Sequence, residues 1–182
     1  MGIISTEELK NLAEEVGSLL LAKNLTLGIA ESCTGGLLAA AITEIPGSSG
    51  YFNGSIVAYR NKVKKKVLKV TTPCLRKFGA VSAETAAAMA RGARKATTAR
   101  IGLSITGIAG PSGETTGKPI GLVYIGLEAR KVRMVYQFNF SGNRQEIRQS
   151  ACIKALELLR EFLEKVKTSN RDHNRIIQRK RD

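Results

Sequence analysis

The sequence predicts an α/β protein, a three-layer α/β/α sandwich around a mixed, mostly parallel sheet. Three observations predict it. Segments of helical period alternate with short apolar runs along the chain, which is the order of a doubly wound sheet. Two of those runs, residues 25–30 and 100–106, pass directly into polar or glycine-rich loops, as strands do beside a ligand crevice at their carboxyl ends. The last two strand-like runs are joined by the short polar turn around Ala129-Arg130-Lys131, too short for a crossover, so that pair is antiparallel and the sheet is mixed.

Each element has a local reason. Ser5-Thr6-Glu7-Glu8 reads as a capping box, and Leu9, Leu12, Val16, Leu19 and Leu20 then recur at helical spacing to about Lys23. Residues 25–30 form a buried strand. Leu37 to Ile42 are good helix formers, stopped before Pro46 because the residue preceding proline avoids the helical region. Gly47 to Gly50 is a loop, and a strand follows within Tyr51–Tyr59, starting after Gly54. Residues 62–68 carry Val63 and Val67 on one helical face with lysines around them, and Thr71-Thr72-Pro73 ends that segment. Ser82 caps an alanine-rich helix to about Lys95. A strand at 100–106 runs into the glycine-rich stretch 107–119, which is followed by strands at 120–127 and 132–140. Asn143, with Glu146 three residues on, opens a long helix whose apolar face runs from Ile147 to Val166. Residues 1–167 are thus expected to form one domain, and the basic residues 168–182 a frayed or disordered tail.

Composition narrows the chemistry. The three cysteines, Cys33, Cys74 and Cys152, are odd in number and far apart, which favours free thiols in a reducing cytoplasm. No signal peptide pattern opens the chain and no apolar run is long enough to span a bilayer, so no membrane partner is expected. The single histidine, His173, lies in the tail, which argues against Ser-His-Asp and Cys-His sites and against a zinc site in the domain. The net charge of +14 admits nucleic acid as a partner through the basic tail. Solubility and solvated helix faces weigh more, because no aromatic residue punctuates the basic runs as a stacking platform would.

The chain is organised around Gly28-Ile29-Ala30-Glu31-Ser32-Cys33-Thr34-Gly35-Gly36, a tight polar turn between a strand and a helix. Backbone N–H groups at such a helix start can stabilise an anion or a developing oxyanion. Equally, Ser, Thr and Gly there are ordinary helix-start residues. Two nucleotide motifs fail. Gly117-Lys118 is followed by Pro119 where a P-loop needs Ser or Thr, and Gly107-Ile108-Ala109-Gly110 lacks the three-glycine dinucleotide fingerprint. What remains is Ser32 on one strand-to-helix turn, Thr106 and Gly107 at another strand end, and Tyr59 with Lys64 after a third. A serine becomes a nucleophile when a neighbouring base takes its proton, and with no histidine at hand the base is Lys64 or Tyr59.

Read together, Glu31-Ser32-Cys33-Thr34-Gly35-Gly36, Pro46-Gly47-Ser48-Ser49, Val57-Ala58-Tyr59-Arg60-Asn61 with Lys64, Gly79-Ala80-Val81-Ser82, Thr106-Gly107-Ile108-Ala109-Gly110-Pro111, Lys118-Pro119-Ile120-Gly121 and Phe140-Ser141-Gly142-Asn143-Arg144 resemble the CinA carboxy-terminal domain family. The motifs fall in the family's order and cover about residues 5 to 165. The resemblance implies a standalone nicotinamide-nucleotide amidohydrolase of pyridine nucleotide salvage, converting nicotinamide mononucleotide and water to nicotinic acid mononucleotide and ammonia. It implies no metal and no cofactor. By similarity, Ser32 attacks the carboxamide while Lys64 and Tyr59 handle protons. Glu31, Cys33, Thr34, Gly35, Thr106 and Gly107 surround the substrate, with backbone N–H groups at Cys33 or Gly107 as oxyanion donors. Arg144 binds the substrate phosphate, with Arg148 one turn on. Self-association, most simply as a dimer, is expected. The alternative is a non-catalytic nucleotide-binding protein of the competence- or damage-inducible type. Three features depart from the family pattern: Asn143 stands where Asp is common, residues 112–117 replace a pair of adjacent glycines, and the tail after Lys167 lies outside the match.

Overall fold

In the computed structural model, which describes residues 6–166, the chain forms six helices and five strands. In order they are α1 (Thr6–Ala22), β1 (Leu27–Glu31), α2 (Leu37–Thr43), a short 3₁₀ turn at Ser48–Gly50, β2 (Phe52–Val57), α3 (Asn61–Lys66), α4 (Thr72–Phe78), α5 (Ala83–Ala96), β3 (Ile101–Gly107), β4 (Leu122–Ala129), β5 (Val132–Asn139) and α6 (Arg144–Lys165). The expected cap at Ser5 and the expected tail lie outside the described residues. Among the described residues no helix is long and apolar enough to cross a membrane.

The sheet has the order β2-β1-β3-β4-β5. β1 pairs parallel with both β2 and β3, while β4 runs antiparallel to β3 and β5 antiparallel to β4. Only β4 therefore points against the rest, and the sheet is mixed and mostly parallel, as expected. The chain leaves β1 toward β2 on one side and returns past β1 to β3 on the other. Right-handed crossovers in opposite directions place α2 on one face and α5 on the other. α1 and α6 join α2 on the first face. The reversal also makes the carboxyl ends of β1 and β3 the switch point, where open α/β sheets hold their ligands.

The two faces are packed differently. Leu27 and Ile29 of β1 and Ile101, Leu103 and Ile105 of β3 point into the large core beneath α1, α2 and α6. The opposite face carries small residues. A Cβ built on Gly28, Gly102 or Gly126 would meet α5 or the residue after it at 2.0–2.7 Å. The alanines of α5 therefore settle almost onto the sheet backbone, and Ser104 Oγ donates to Ala86 O at 2.7 Å across that seam.

Most caps are as read from the sequence. Ser82 Oγ accepts from Thr85 N, and Asn143 and Glu146 form a reciprocal capping box at α6. Two readings need correction. β2 begins at Phe52, not after Gly54: the pairing with β1 slips by one residue there, and Gly54 takes φ +145°, so the strand continues through a bulge. Thr71-Thr72-Pro73 opens a helix. Thr71 Oγ1 accepts from Cys74 N, and Pro73 sits in the first turn, where no N–H is needed. On α3, Val63 packs half-buried against the core. Val67 is 43% exposed, and the buried side chain is Lys64 at 1%.

Candidate active site

Four segments meet at the carboxyl end of the sheet: the β1–α2 turn, the stretch from β2 into α3, the start of the β3–β4 loop, and the N-terminus of α6. Ser32 follows β1 directly, and its N–H donates to Ile105 O of β3 at 3.0 Å, so the nucleophile candidate is anchored to the central strand. Ala58 is anchored likewise, its N–H donating to Glu31 O at 2.7 Å. One turn into α3, Lys64 reaches back into the space between these two anchors. Its Nζ lies 2.8 Å from Ser32 Oγ, 2.6 Å from Ala58 O and 3.4 Å from Tyr59 O.

These three oxygens define what the amine can do. Ala58 O and Tyr59 O can only accept, so they take two N–H bonds whatever the charge on the lysine. Ser32 Oγ can accept from the ammonium, or donate to the lone pair of the neutral amine. Burial pushes the Lys64 amine down to about 8 from its ordinary 10.5, opposed in part by the nearby Cys33. The neutral form, with its lone pair on the serine O–H, is thereby brought near neutral pH. A serine hydroxyl in that position is set up to be deprotonated as it attacks.

The remaining sequence candidates fall into three groups. Glu31 is fully buried and turned away from the crevice. Its carboxylate accepts from the N–H groups of Gly36, Leu38 and Ala39 at 2.9, 3.2 and 2.9 Å and from Ser55 Oγ at 3.4 Å. It caps α2 from inside, so this helix start is not an open anion site. Thr106 is also fully buried, and its hydroxyl donates to Ala80 O at 2.8 Å, holding the α4–α5 loop instead of facing a ligand. Gly107 is needed for space: a Cβ there would sit 2.6 Å from Leu122 O.

Cys33 is buried in the main core, and burial raises its thiol to about 11, which keeps it protonated at neutral pH. The N–H groups of Cys33 and Thr34 face that thiol and, among the described residues, bond no oxygen, while those of Gly35 and Leu37 are taken by Ser32 O and Thr34 O. Gly35 turns the chain at φ +64°. Thr34 is fully buried, its Oγ1 is without a hydrogen-bond partner among the described residues, and its carbonyl is held by Arg148 through Nε and Nη2 at 3.1 and 2.7 Å.

Tyr59 and Arg144 are brought to each other. Arg144 Nη2 donates to Tyr59 Oη at 3.0 Å and Nη1 to Gly110 O at 2.6 Å. Tyr59 is 58% exposed; it contributes its backbone carbonyl to Lys64, and its hydroxyl goes to Arg144. Beside Arg144 an open cleft of about 480 Å³ is lined by Leu37, Asn143, Arg144, Gln145, Arg148 and Gln149. Neither Ser32 nor Lys64 lines it; Arg148 ties it to the turn that carries Ser32 by its grip on the Thr34 carbonyl. Among the described residues no group of His, Cys, Asp and Glu is placed to hold a metal ion.

One contributor escaped the sequence reading. Lys118 Nζ donates to Phe78 O and to Val81 O, both at 2.7 Å, and so ties the glycine-rich loop to the α4–α5 loop. Thr85 Oγ1 and Thr106 Oγ1 hold the two carbonyls between them, Gly79 O and Ala80 O. Its sequence signals were its place at the close of a glycine-rich loop and in the Lys118-Pro119-Ile120-Gly121 motif, neither of which gave it a role.

A doubly wound α/β domain with a serine–lysine pair at its switch point is the class that fold and site define. Residues 9–163 match the CinA C-terminal domain, and the chain belongs to that family. A CinA-like protein of Endomicrobium trichonymphae is 51% identical over 84% of this chain, and a putative competence-damage inducible protein of Halothermothrix orenii is 48% identical over 86%. The chain spans only 36% and 38% of those two relatives. Among solved structures it is similar to the competence/damage inducible protein CihA from Agrobacterium tumefaciens, with TM-score 0.84 and 38% identity over 90% of this chain and 99% of that one. It is also similar to the competence damage-inducible protein A from Klebsiella pneumoniae, with TM-score 0.85 and 30% identity over 87% and 99%.

Proposed function

We propose that this chain is a nicotinamide-nucleotide amidohydrolase that acts through Ser32 and Lys64. The observation that carries the reading is the 2.8 Å contact between a buried lysine amine and a serine hydroxyl, with the two other amine contacts occupied by carbonyls. In the acylation step Ser32 Oγ attacks the carboxamide carbon and its proton passes to Lys64 Nζ. A backbone N–H of the turn would have to leave the Cys33 thiol to meet the tetrahedral oxyanion, and that of Cys33, next to the nucleophile, is the donor this reading assigns. Collapse breaks the C–N bond, Lys64 returns the proton to the leaving nitrogen, and ammonia departs from an ester on Ser32. Water then attacks the ester with Lys64 as base, releasing nicotinic acid mononucleotide and restoring the serine. Arg144 and Arg148 face the cleft with N–H groups to spare, and a phosphate seated there would fix the nucleotide with its base toward Ser32. Tyr59 acts in this reading by holding Arg144, not as the main base.

The test is ammonia release from nicotinamide mononucleotide by the purified protein beside Ser32→Ala, with the fold of both checked by circular dichroism. Turnover that is lost in the variant supports the amidohydrolase and its nucleophile together. Binding of the mononucleotide without turnover by the unaltered protein replaces this reading with that of a non-catalytic nucleotide-binding protein.

A further inference from the structure

On the face of α5 turned away from the sheet, a groove of about 790 Å³ runs between that helix and the chain from the end of α3 into α4. None of the residues proposed for the reaction lines it. We infer that it is a second ligand site, taking a small amphipathic anion: a phosphate or carboxylate head on an aryl or acyl body.

Three observations carry this. The first is shape. The volume lies within the few hundred to about 1,000 Å³ typical of small-ligand pockets. The wall is built, too: a Cβ on Gly92 would fall 2.2 Å from Leu68 O, so only glycine lets residues 67–69 lie down on α5. The second is the floor. Val67, 43% exposed, lines it with the half-buried Ala87 and Ala88, and Leu68 is buried beneath them. The third is charge. Lys69, Arg91, Lys95 and Arg133 stand around this floor, against Glu84 as the only carboxylate of the lining. Arg133 is paired with Glu128 at 2.9 Å; among the described residues the other three cations have no ion-pair or hydrogen-bond partner.

Unneutralised cations around an apolar floor fit a ligand that carries both features. A second copy of the chain docked face to face would set the same cations against themselves. A single-stranded nucleic acid would find no aromatic ring in the lining on which to stack a base. The site also touches the support of the dyad: Val70 N, just past Lys69, donates to Lys64 O at 3.0 Å.

The experiment is a titration with phenyl phosphate, followed by calorimetry and by backbone amide NMR, with inorganic phosphate as the headgroup alone. The proposal requires shifts in residues 67–71 and 87–96 that persist in Arg144→Ala, and binding of inorganic phosphate weaker by about tenfold for want of an apolar body. It also requires that Arg91→Glu with Lys95→Glu weaken phenyl phosphate by at least about tenfold at an unchanged melting temperature. If that pair lowers the melting temperature, Arg91→Gln with Lys95→Gln takes its place. Shifts confined to the cleft at Arg144, or affinity unaltered by the charge changes, overturn the site. Tighter binding of duplex DNA at these same residues, with a steep salt dependence, replaces the small anion by a polyanion. The proposal is independent of the reaction, because its readout is binding away from Ser32.

Discussion

Two stretches of this molecule each place a lysine amine against backbone carbonyls, and they do so to different ends. At the end of β2 and in α3, Lys64 meets Ala58 O, Tyr59 O and Ser32 Oγ. At the end of the β3–β4 loop, Lys118 meets Phe78 O and Val81 O. Carbonyls can only accept, so the Lys118 contacts hold two loops together and nothing more. Replacing one acceptor by a hydroxyl, which can turn and donate, and removing the amine from water convert the same geometry into a proton-transfer pair. What separates a staple from a candidate base is thus the third partner and the desolvation, and the carbonyl contacts are common to both.

Substitutions test that distinction. The largest effect is expected at the hydroxyl itself: Ser32→Ala should lower ammonia release by about a thousandfold or more with the fold retained. Lys64→Met should come close to it, and Lys64→Arg should not restore activity, because a guanidinium keeps its proton. The contrast fails if Lys118→Met costs as much turnover as Lys64→Met.

The pH profile sharpens the same point. With the amine near 8, kcat/KM should fall about tenfold per pH unit below that value, and the residual activity of Lys64→Met should not follow this limb. The linked stability has a definite sign. The folded state holds the Lys64 proton less tightly than the unfolded chain does. Its contribution is therefore fully present above 10.5 and lost as pH falls to about 8, a change of about 3 kcal/mol. Denaturant titrations from pH 8 to 10.5 should show a rise that Lys64→Met lacks.

Smaller effects belong to the groups that position. Arg144→Ala should raise KM for the mononucleotide by about tenfold to a hundredfold and change kcat little, since the proposed phosphate contact would be the same in ground and transition states. Lys118→Met should destabilise by about 1–3 kcal/mol, leaving two half-buried carbonyls without their donor, and lower activity only severalfold. Tyr59→Phe, which removes one hydrogen bond from Arg144, should raise KM a few fold; a loss comparable with that of Lys64→Met would return Tyr59 to the proton path.

Much of this was legible in the chain. Ser82 and Asn143 announce their helices because a cap bonds N–H groups two or three residues away. The parallel and antiparallel parts of the sheet follow from connection length. Ser32 stands out because a hydroxyl at a strand-to-helix turn lies at the edge where doubly wound sheets open. The misses share a cause. Thr71-Thr72-Pro73 stops one helix and starts another, and local preferences do not say which role prevails. Glu31 and Thr106 carry polar side chains at the right strand ends, yet both turn inward to satisfy backbone groups that folding would otherwise leave unpaired.

By itself the sequence determined the order of the elements other than α4, the caps of α5 and α6, the layer architecture and the small set of residues able to do hydrolytic chemistry without histidine. Tertiary structure alone decided which of them are brought together. Lys62, Lys64, Lys65 and Lys66 are equivalent to any local rule, yet only Lys64 is buried. The reason is that desolvation is a property of what packs over a group. Here β1, β2 and Ser32, thirty-two residues away in sequence, close over one amine and leave its neighbours in water.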